Sequence, residues 1–493
     1  MKIFLKTIIF TVLFVYLFLS FMFALKGYPG FVQDSVCFLP TAYFINHFHQ
    51  LINPLYDAGI DPIKHRFLFY PPLFPYTVAF ITNLLPDFVN NIQVALTIID
   101  SISIAVLLYT VYVYYKRTKI ELNVFFYVFL IAWLLSLFSF YGITDGRPEI
   151  LSRFFIACFL LNNVRQDKRF YNFTDGLIIG LNLITSPIST IYLMVIKLGL
   201  FFYNNNFKLK PVIQTITGFA IVITCFTFLY PYHISELIAG LQKHSKNVIV
   251  NRAESDAFGN FIRYYIANPY IPLFILNFLV PLCYVYYILI KKNKTICILL
   301  FALLNCIISY FSFRNMGLVY NMLVLSPFSF FLLFVIFTKI LNKRSLPLFL
   351  KNSTVMIILL LFLNSAGITR KILLFYSTEN DKVSYQDFRK DFIKVCNASN
   401  ATNKNKKIVL TFSLWPYCLD KYKNITVWTT MITPDTSVQY IMVQQLYSGF
   451  SEPQPKPGFK VIKNSFITKH PKFGKLPLGN TYPGFQTAVY KRN

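Results

Sequence analysis

Acid is scarce in this sequence. Its 493 residues hold 20 Asp and Glu against 47 Lys and Arg, and charged residues make up 14% of the chain. Soluble domains carry about 25%, so an ordinary soluble composition is excluded. Cysteine is sparse too. There are eight, with no CxxC pair and no His/Cys cluster, which leaves no zinc site of the usual spacing. HExxH, Walker A, GxSxG and strand-flanked GxGxxG patterns are also missing. Soluble nucleotide-binding machinery is therefore not part of this chain.

What is abundant is apolar. The chain is 55% hydrophobic and 18% aromatic, with a mean hydropathy of +0.52. Several runs approach or exceed the ~20 residues that cross a bilayer. The composition predicts an all-α polytopic membrane protein. A net charge of +27 would suggest nucleic acid in a soluble protein. Here Lys and Arg cluster in short loops, as the positive-inside rule expects. Anionic lipid and phosphate-bearing substrates are the expected partners, and nucleic acid is not. The first segment starts basic, like a signal peptide, but its apolar core outruns the ~7–15 residues of a signal core. It reads as an uncleaved first span.

Eleven spans are predicted, at about 5–25, 92–115, 122–141, 148–164, 174–185, 188–203, 211–230, 270–290, 295–312, 317–338 and 353–374. This list puts Lys2, Lys6, Lys116, Arg117, Lys119, Arg165, Lys168, Arg169, Lys208, Lys210, Lys291, Lys292, Lys294, Lys343 and Arg344 on one side, which is then the cytoplasm. The C-terminus falls outside. "YPPLFPYTVAFITNLLP" (70–86) reads as an interfacial or re-entrant helix; the alternative is a twelfth span. "TSP" breaks the run from 175 to 203. Pro187 lacks an N–H and biases Ser186 away from helix. Two short helices around a polar bend fit better than one kinked helix.

Three regions follow: a transmembrane region (1–374), its long first outer loop with interfacial helices (26–91), and a small extracytoplasmic α/β or mostly β domain (375–493). "KIVLTFS" and "NITVW" in the last read as strands, and its expected role is a lid or acceptor-binding surface. Cys396 and Cys418 there are open to a disulfide. Sequons at Asn397, Asn400 and Asn424 read as incidental in so Asn-rich a chain.

Polar chemistry concentrates in the outer loops. Asp34, about ten residues after the first span, suits a general base, a metal ligand or a helix N-cap. In "TDGRPE", Asp145 and Glu149 suit the cap and first turn of a helix opened by Pro148. Arg147 is left to pair with an acid, bind an anion or snorkel to headgroups. Lys64, His65 and Arg66, before the Pro-rich segment, and Arg314 are candidates for a lipid phosphate or for headgroup anchoring.

Taken in order, these features resemble the GT-C superfamily of membrane glycosyltransferases, in the RgtA/B/C/D-like and protein O-mannosyltransferase-like pattern. The matching pieces are Asp34, then "YPPLFPY", then Asp145, Arg147, Pro148 and Glu149, then the helix pair around "TSP". The resemblance covers roughly residues 1–330. It implies transfer of a sugar from a polyprenyl-phosphate carrier to an acceptor lipid, glycan or protein outside the membrane, with inversion. Asp34 would be the catalytic base. Lys64, His65, Arg66 and Arg314 would neutralise the leaving phosphate. Asp145 and Glu149 would orient the acceptor or hold a divalent metal, with Arg147 paired to one of them. No other cofactor is implied. Ser35 stands where mannosyltransferases of this group often carry Glu after the Asp, which speaks against a protein-mannosyltransferase identity.

Two other classes compete: a transporter or flippase of lipid-linked sugars, and a polysaccharide polymerase or ligase. The first predicts internal repeats, and none stands out. The second concentrates its chemistry late in the chain, whereas the acids here come early. The Asn-, Lys-, Ile- and Phe-rich composition suggests an AT-rich, bacterial genome and an inner-membrane location.

Overall fold

Long apolar runs satisfy their backbone most simply by bonding to themselves, and the chain is mostly helical. The computed structural model describes residues 2–25, 35–56, 59–118, 124–140, 146–165, 170–204, 208–250, 275–315, 318–341, 348–365, 407–411, 415–416, 419, 425–428, 438–446, 458–466, 472–473, 476–477 and 485–493. Fourteen α-helices lie among them. They are α1 (Lys2–Leu25), α2 (Ser35–Phe48), α3 (Leu73–Asn83), α4 (Phe88–Thr118), α5 (Val124–Phe140), α6 (Glu149–Arg165) and α7 (Tyr171–Leu183). Then come α8 (Pro187–Tyr203), α9 (Leu209–Leu229), α10 (Ile234–Val250), α11 (Val280–Lys291), α12 (Thr295–Asn315), α13 (Leu318–Leu341) and α14 (Leu348–Asn364).

Each predicted span overlaps a helix, although 270–274 and 366–374 of the predicted spans lie outside the described residues. Among the described residues, three helical stretches are long and apolar enough to cross a membrane: Thr7–Leu25, Asn91–Thr118 and Leu209–Leu229. Six further apolar helical stretches are shorter. The segment 70–86 yields α3, only 11 residues long. At 1.5 Å per residue that is about 16 Å, half the bilayer core.

The bend at "TSP" forms as predicted. Ser186 is extended (φ −151°, ψ 107°) and Pro187 opens α8. A π-helical turn, Ile275–Leu279, leads into α11. Pro281 explains it: the carbonyl of Asn277 finds no N–H four residues on, and pairing at five skips the proline.

Helix α7 packs closely on α9. Gly176 and Gly180, four apart, share one face of α7. A Cβ on Gly176 would sit 2.0 Å from the Thr215 carbonyl oxygen, and one on Gly218 of α9 would sit 2.2 Å from that of Phe173. Small residues on both sides let the backbones touch.

Charge, most of it buried, holds other pairs together. Arg153 of α6 meets Asp100 of α4 at 2.5 Å, with side chains 1% and 5% exposed. Lys197 of α8 meets Asp175 of α7 at 2.6 Å. Asn162 and Asn163 donate to the same Asp175 carboxylate, and Asn172 accepts from Lys197. Arg117, late in α4, donates to the Val164 and Arg165 carbonyls that end α6, the latter at 2.7 Å. A cation there also suits the helix dipole.

The C-terminal part folds as a mixed sheet. Its strands are β1 (Lys407–Thr411), β2 (Ile425–Trp428), β3 (Val438–Leu446), β4 (Phe459–Phe466), β5 (Lys472–Phe473), β6 (Leu476–Pro477) and β7 (Phe485–Arg492). Five of them lie in the order β2-β1-β3-β7-β4, while β5 and β6 pair separately. β1 runs parallel to β2 and β3, and β7 antiparallel to β3 and β4. Successive residues of a strand face opposite sides. Tyr440 and its partner Ile408 join the apolar core of the helices, with Trp415 and Leu419. Ile441 and its partner Tyr490 form a second small core with Phe459. The sheet is thus seated on the helical body by one face. Cys396, Cys418 and the sequon residues Asn397, Asn400 and Asn424 lie outside the described residues.

Candidate functional site

Helix α2 begins at Ser35, one residue after Asp34, which itself lies outside the described residues. Pro40 sits inside α2 and leaves the Val36 carbonyl without its usual donor. Asn53 supplies one. Its Nδ2 donates to the carbonyl oxygens of Val36 at 2.9 Å and Cys37 at 3.1 Å. Its Oδ1 accepts the N–H groups of Leu55 and Tyr56 at 3.3 and 3.1 Å. The first loop is fastened to α2 by this fully buried amide.

The same loop carries the predicted basic cluster. Ile52 and Arg66 form an antiparallel bridge, and His65 turns the chain through a left-handed conformation (φ 54°). Arg66 is engaged by two carboxylates: Nε to Asp61 at 2.5 Å and Nη1 to Glu236 at 2.7 Å. Its guanidinium also lies 5.5 Å from the centre of the Tyr232 ring. Burial would raise the Asp61 carboxyl, but its hydrogen bonds to Arg66 and backbone N–H groups hold it below the usual range. Glu236 is lowered by its Arg66 hydrogen bond first of all. Arg66 is correspondingly raised. Lys64 is exposed and His65 half-buried. The Arg314 side chain lies outside the described residues.

The second acidic stretch packs against the start of α2. Gly146 has φ +67°, and a Cβ on it would lie 2.5 Å from Leu39 Cδ1 and 3.2 Å from Ser35 Cβ. Only glycine fits both the conformation and the space. Arg147 forks onto Glu149, Nε to Oε2 and Nη2 to Oε1, both at 3.0 Å. This bidentate pair favours the acid-pairing reading of Arg147 over snorkelling. Glu149 stands in the first turn of α6, as predicted, and is buried. Asp145 lies outside the described residues.

Tyr70 joins this turn to the α7–α8 bend. Its hydroxyl donates to Ser186 Oγ at 3.2 Å, and the Leu73 N–H donates to the Ile184 carbonyl at 3.1 Å. Burial chiefly, and then the Glu149 charge, push the Tyr70 phenol well above its ordinary range, against the Ser186 bond and Arg147. Its ring meets Phe38 of α2 edge-on at 5.1 Å. Beneath it, Asn182 donates to Ser189, and Ser189 to Ser152 of α6, both at 3.0 Å. The start of α2, "YPPLFPY", the 146–149 turn and "TSP" are therefore one contiguous neighbourhood.

Sequence reasoning missed several members. Asp61 and Glu236 are acids of the outer loops with no motif around them. Asn53 and Tyr70 carried no signal of their own. Trp415 was not foreseen either: its indole N–H donates to Ser35 Oγ at 3.0 Å, and both residues are fully buried.

Of the acids a divalent metal would use, Asp34 and Asp145 lie outside the described residues. Both Glu149 oxygens are bound by Arg147. Among the described residues, no three His, Cys, Asp or Glu side chains converge. No protein-family model matches the chain, and no curated protein matches it.

Proposed function

We propose that this chain is an inverting glycosyltransferase of the GT-C type, with eleven membrane crossings and its site on the outer face. It would move a sugar from a polyprenyl-phosphate carrier to an acceptor lipid, glycan or protein. One observation carries the reading. Residues within or next to the four stretches on which the resemblance rests, far apart in sequence, come together: Gly146 beside Ser35, and Tyr70 against Phe38 and Ser186.

Asp34 takes the proton of the acceptor hydroxyl. That oxygen attacks the anomeric carbon from the face opposite the phosphate, and the anomeric C–O bond breaks as the new one forms. Polyprenyl phosphate leaves with the electron pair. Cations near the first loop stabilise the charge that develops on it. Lys64 is exposed for that task, and His65 and Arg314 stay candidates. Arg66 would share its charge between the phosphate and the two carboxylates it already holds. The Arg147–Glu149 pair fixes the rim where an acceptor would enter.

The test is transfer of sugar from a purified polyprenyl-phosphate sugar by the purified protein. Asp34→Asn is expected to lower the rate about 100- to 10,000-fold. Transfer at the wild-type rate by that variant would overturn the mechanism.

A flippase is the second reading. Ion pairs buried between apolar helices, and a broken helix beside them, are features of transport sites. Translocation of the donor lipid in proteoliposomes without sugar transfer would favour it.

A further inference from the structure

We infer that Trp415, from the C-terminal domain, is a positioning residue of the site, acting through Ser35 on the first turn of α2. The inference rests on the reading of Asp34 as the base. Ser35 follows Asp34 directly, so their Cα atoms are about 3.8 Å apart. Because the two residues are bonded, whatever holds Ser35 limits where the chain can present the Asp34 carboxylate.

Two things fix it. On one side stands Gly146, where even a methyl group would come within 3.2 Å of Ser35 Cβ. On the other, across 380 positions of chain, the Trp415 indole N–H donates to the Ser35 hydroxyl at 3.0 Å. An indole N–H can only donate, so the direction of the bond is set. The surroundings are apolar: Ile408, Trp415, Leu419 and Tyr440 share one core with Val36 and Leu39 of α2. In such a setting a single hydrogen bond also sets orientation, because an indole slid off its acceptor would lose a partner it cannot regain from water.

The first turn of a helix has no intrahelical partners for its own N–H groups. It is the part of α2 most dependent on outside contacts. The C-terminal domain would thus complete the catalytic geometry, beyond serving as a cover or acceptor surface. Misplacement of a reacting group by about 1 Å costs on the order of 100-fold in rate, so a modest loosening should be measurable.

The experiment uses the full-length protein in nanodiscs. Trp415→Phe keeps the ring and removes the N–H. Ser35→Ala removes the acceptor. Two readouts are taken: amide hydrogen exchange, and steady-state transfer from a polyprenyl-phosphate sugar. Trp415→Phe and Ser35→Ala are each expected to speed exchange in 35–48 several-fold and leave 171–203 unchanged. Each should lower kcat about tenfold, with KM for the donor unchanged. The double variant should be no worse than either single one. Unchanged exchange in 35–48 for both variants overturns the proposal. An unchanged or raised kcat in an active enzyme overturns it too, since the contact would then not serve the geometry of the site. Should the wild-type protein transfer no sugar, the functional reading fails by itself, and exchange alone decides whether Trp415 holds α2.

Discussion

The side-chain amide of Asn53 donates to the Val36 carbonyl at 2.9 Å, in the place of the backbone N–H that Pro40 cannot offer. Proline inside a helix usually leaves a carbonyl orphaned. Here a loop residue fills the gap and so ties the loop to the helix.

Asn53→Ala is therefore expected to destabilise the protein by about 1–3 kcal/mol, the cost of leaving buried groups unpaired. Thermal unfolding in detergent would show the loss as a lower Tm. The cost should shrink in a Pro40→Ala background, where a backbone N–H returns to Val36. Equal costs in both backgrounds would refute the substitution of one donor for the other.

Arg66 gives a pH dependence with a definite sign. Asp61 and Glu236 both have folded-state pKa values below their ordinary ones. Their contribution is complete above the ordinary carboxylate range, near pH 4, and is lost as pH falls through the lowered folded values. Unfolding midpoints measured from pH 7 down to pH 3 should fall for the wild type. Arg66→Met should flatten that fall, since its carboxylates lose the partner that lowered them. Added salt should weaken the effect in the wild type, because the trio is partly open to solvent.

Arg153 and Asp100 make the third case. Removing one partner of a buried pair leaves a bare charge and costs about 3–5 kcal/mol, while replacing both by apolar groups is often close to neutral. Arg153→Met is expected to lower Tm sharply, and adding Asp100→Leu should recover much of the loss. Additive losses from the two substitutions would mean that the pair is not a unit.

Much of the fold was legible because its causes are local. Apolar runs gave helices, Pro187 gave the bend, and β-branched runs gave β1 and β2. Arg147 and Glu149 lie two residues apart, and a helix start brings them together. The Arg66–Glu236 contact spans 170 positions, and no local pattern encodes it. Asp100, Arg153, Asp175 and Lys197 stand in between. Each is a charge inside an apolar run, and such charges must find partners. That signal was present in the sequence, although it did not say which acid meets which base.

The two faces of β3 have a consequence for the order of assembly. Tyr440 needs the helices beneath it and Ile441 needs the strands beside it, and a slip of one residue would exchange them. The sheet's register is thus checked against a surface made by earlier parts of the chain. A ribosome delivers those parts first. The C-terminal domain is placed to fold last, on a template already standing, and cut free it would present Ile408, Trp415, Leu419 and Tyr440 to water.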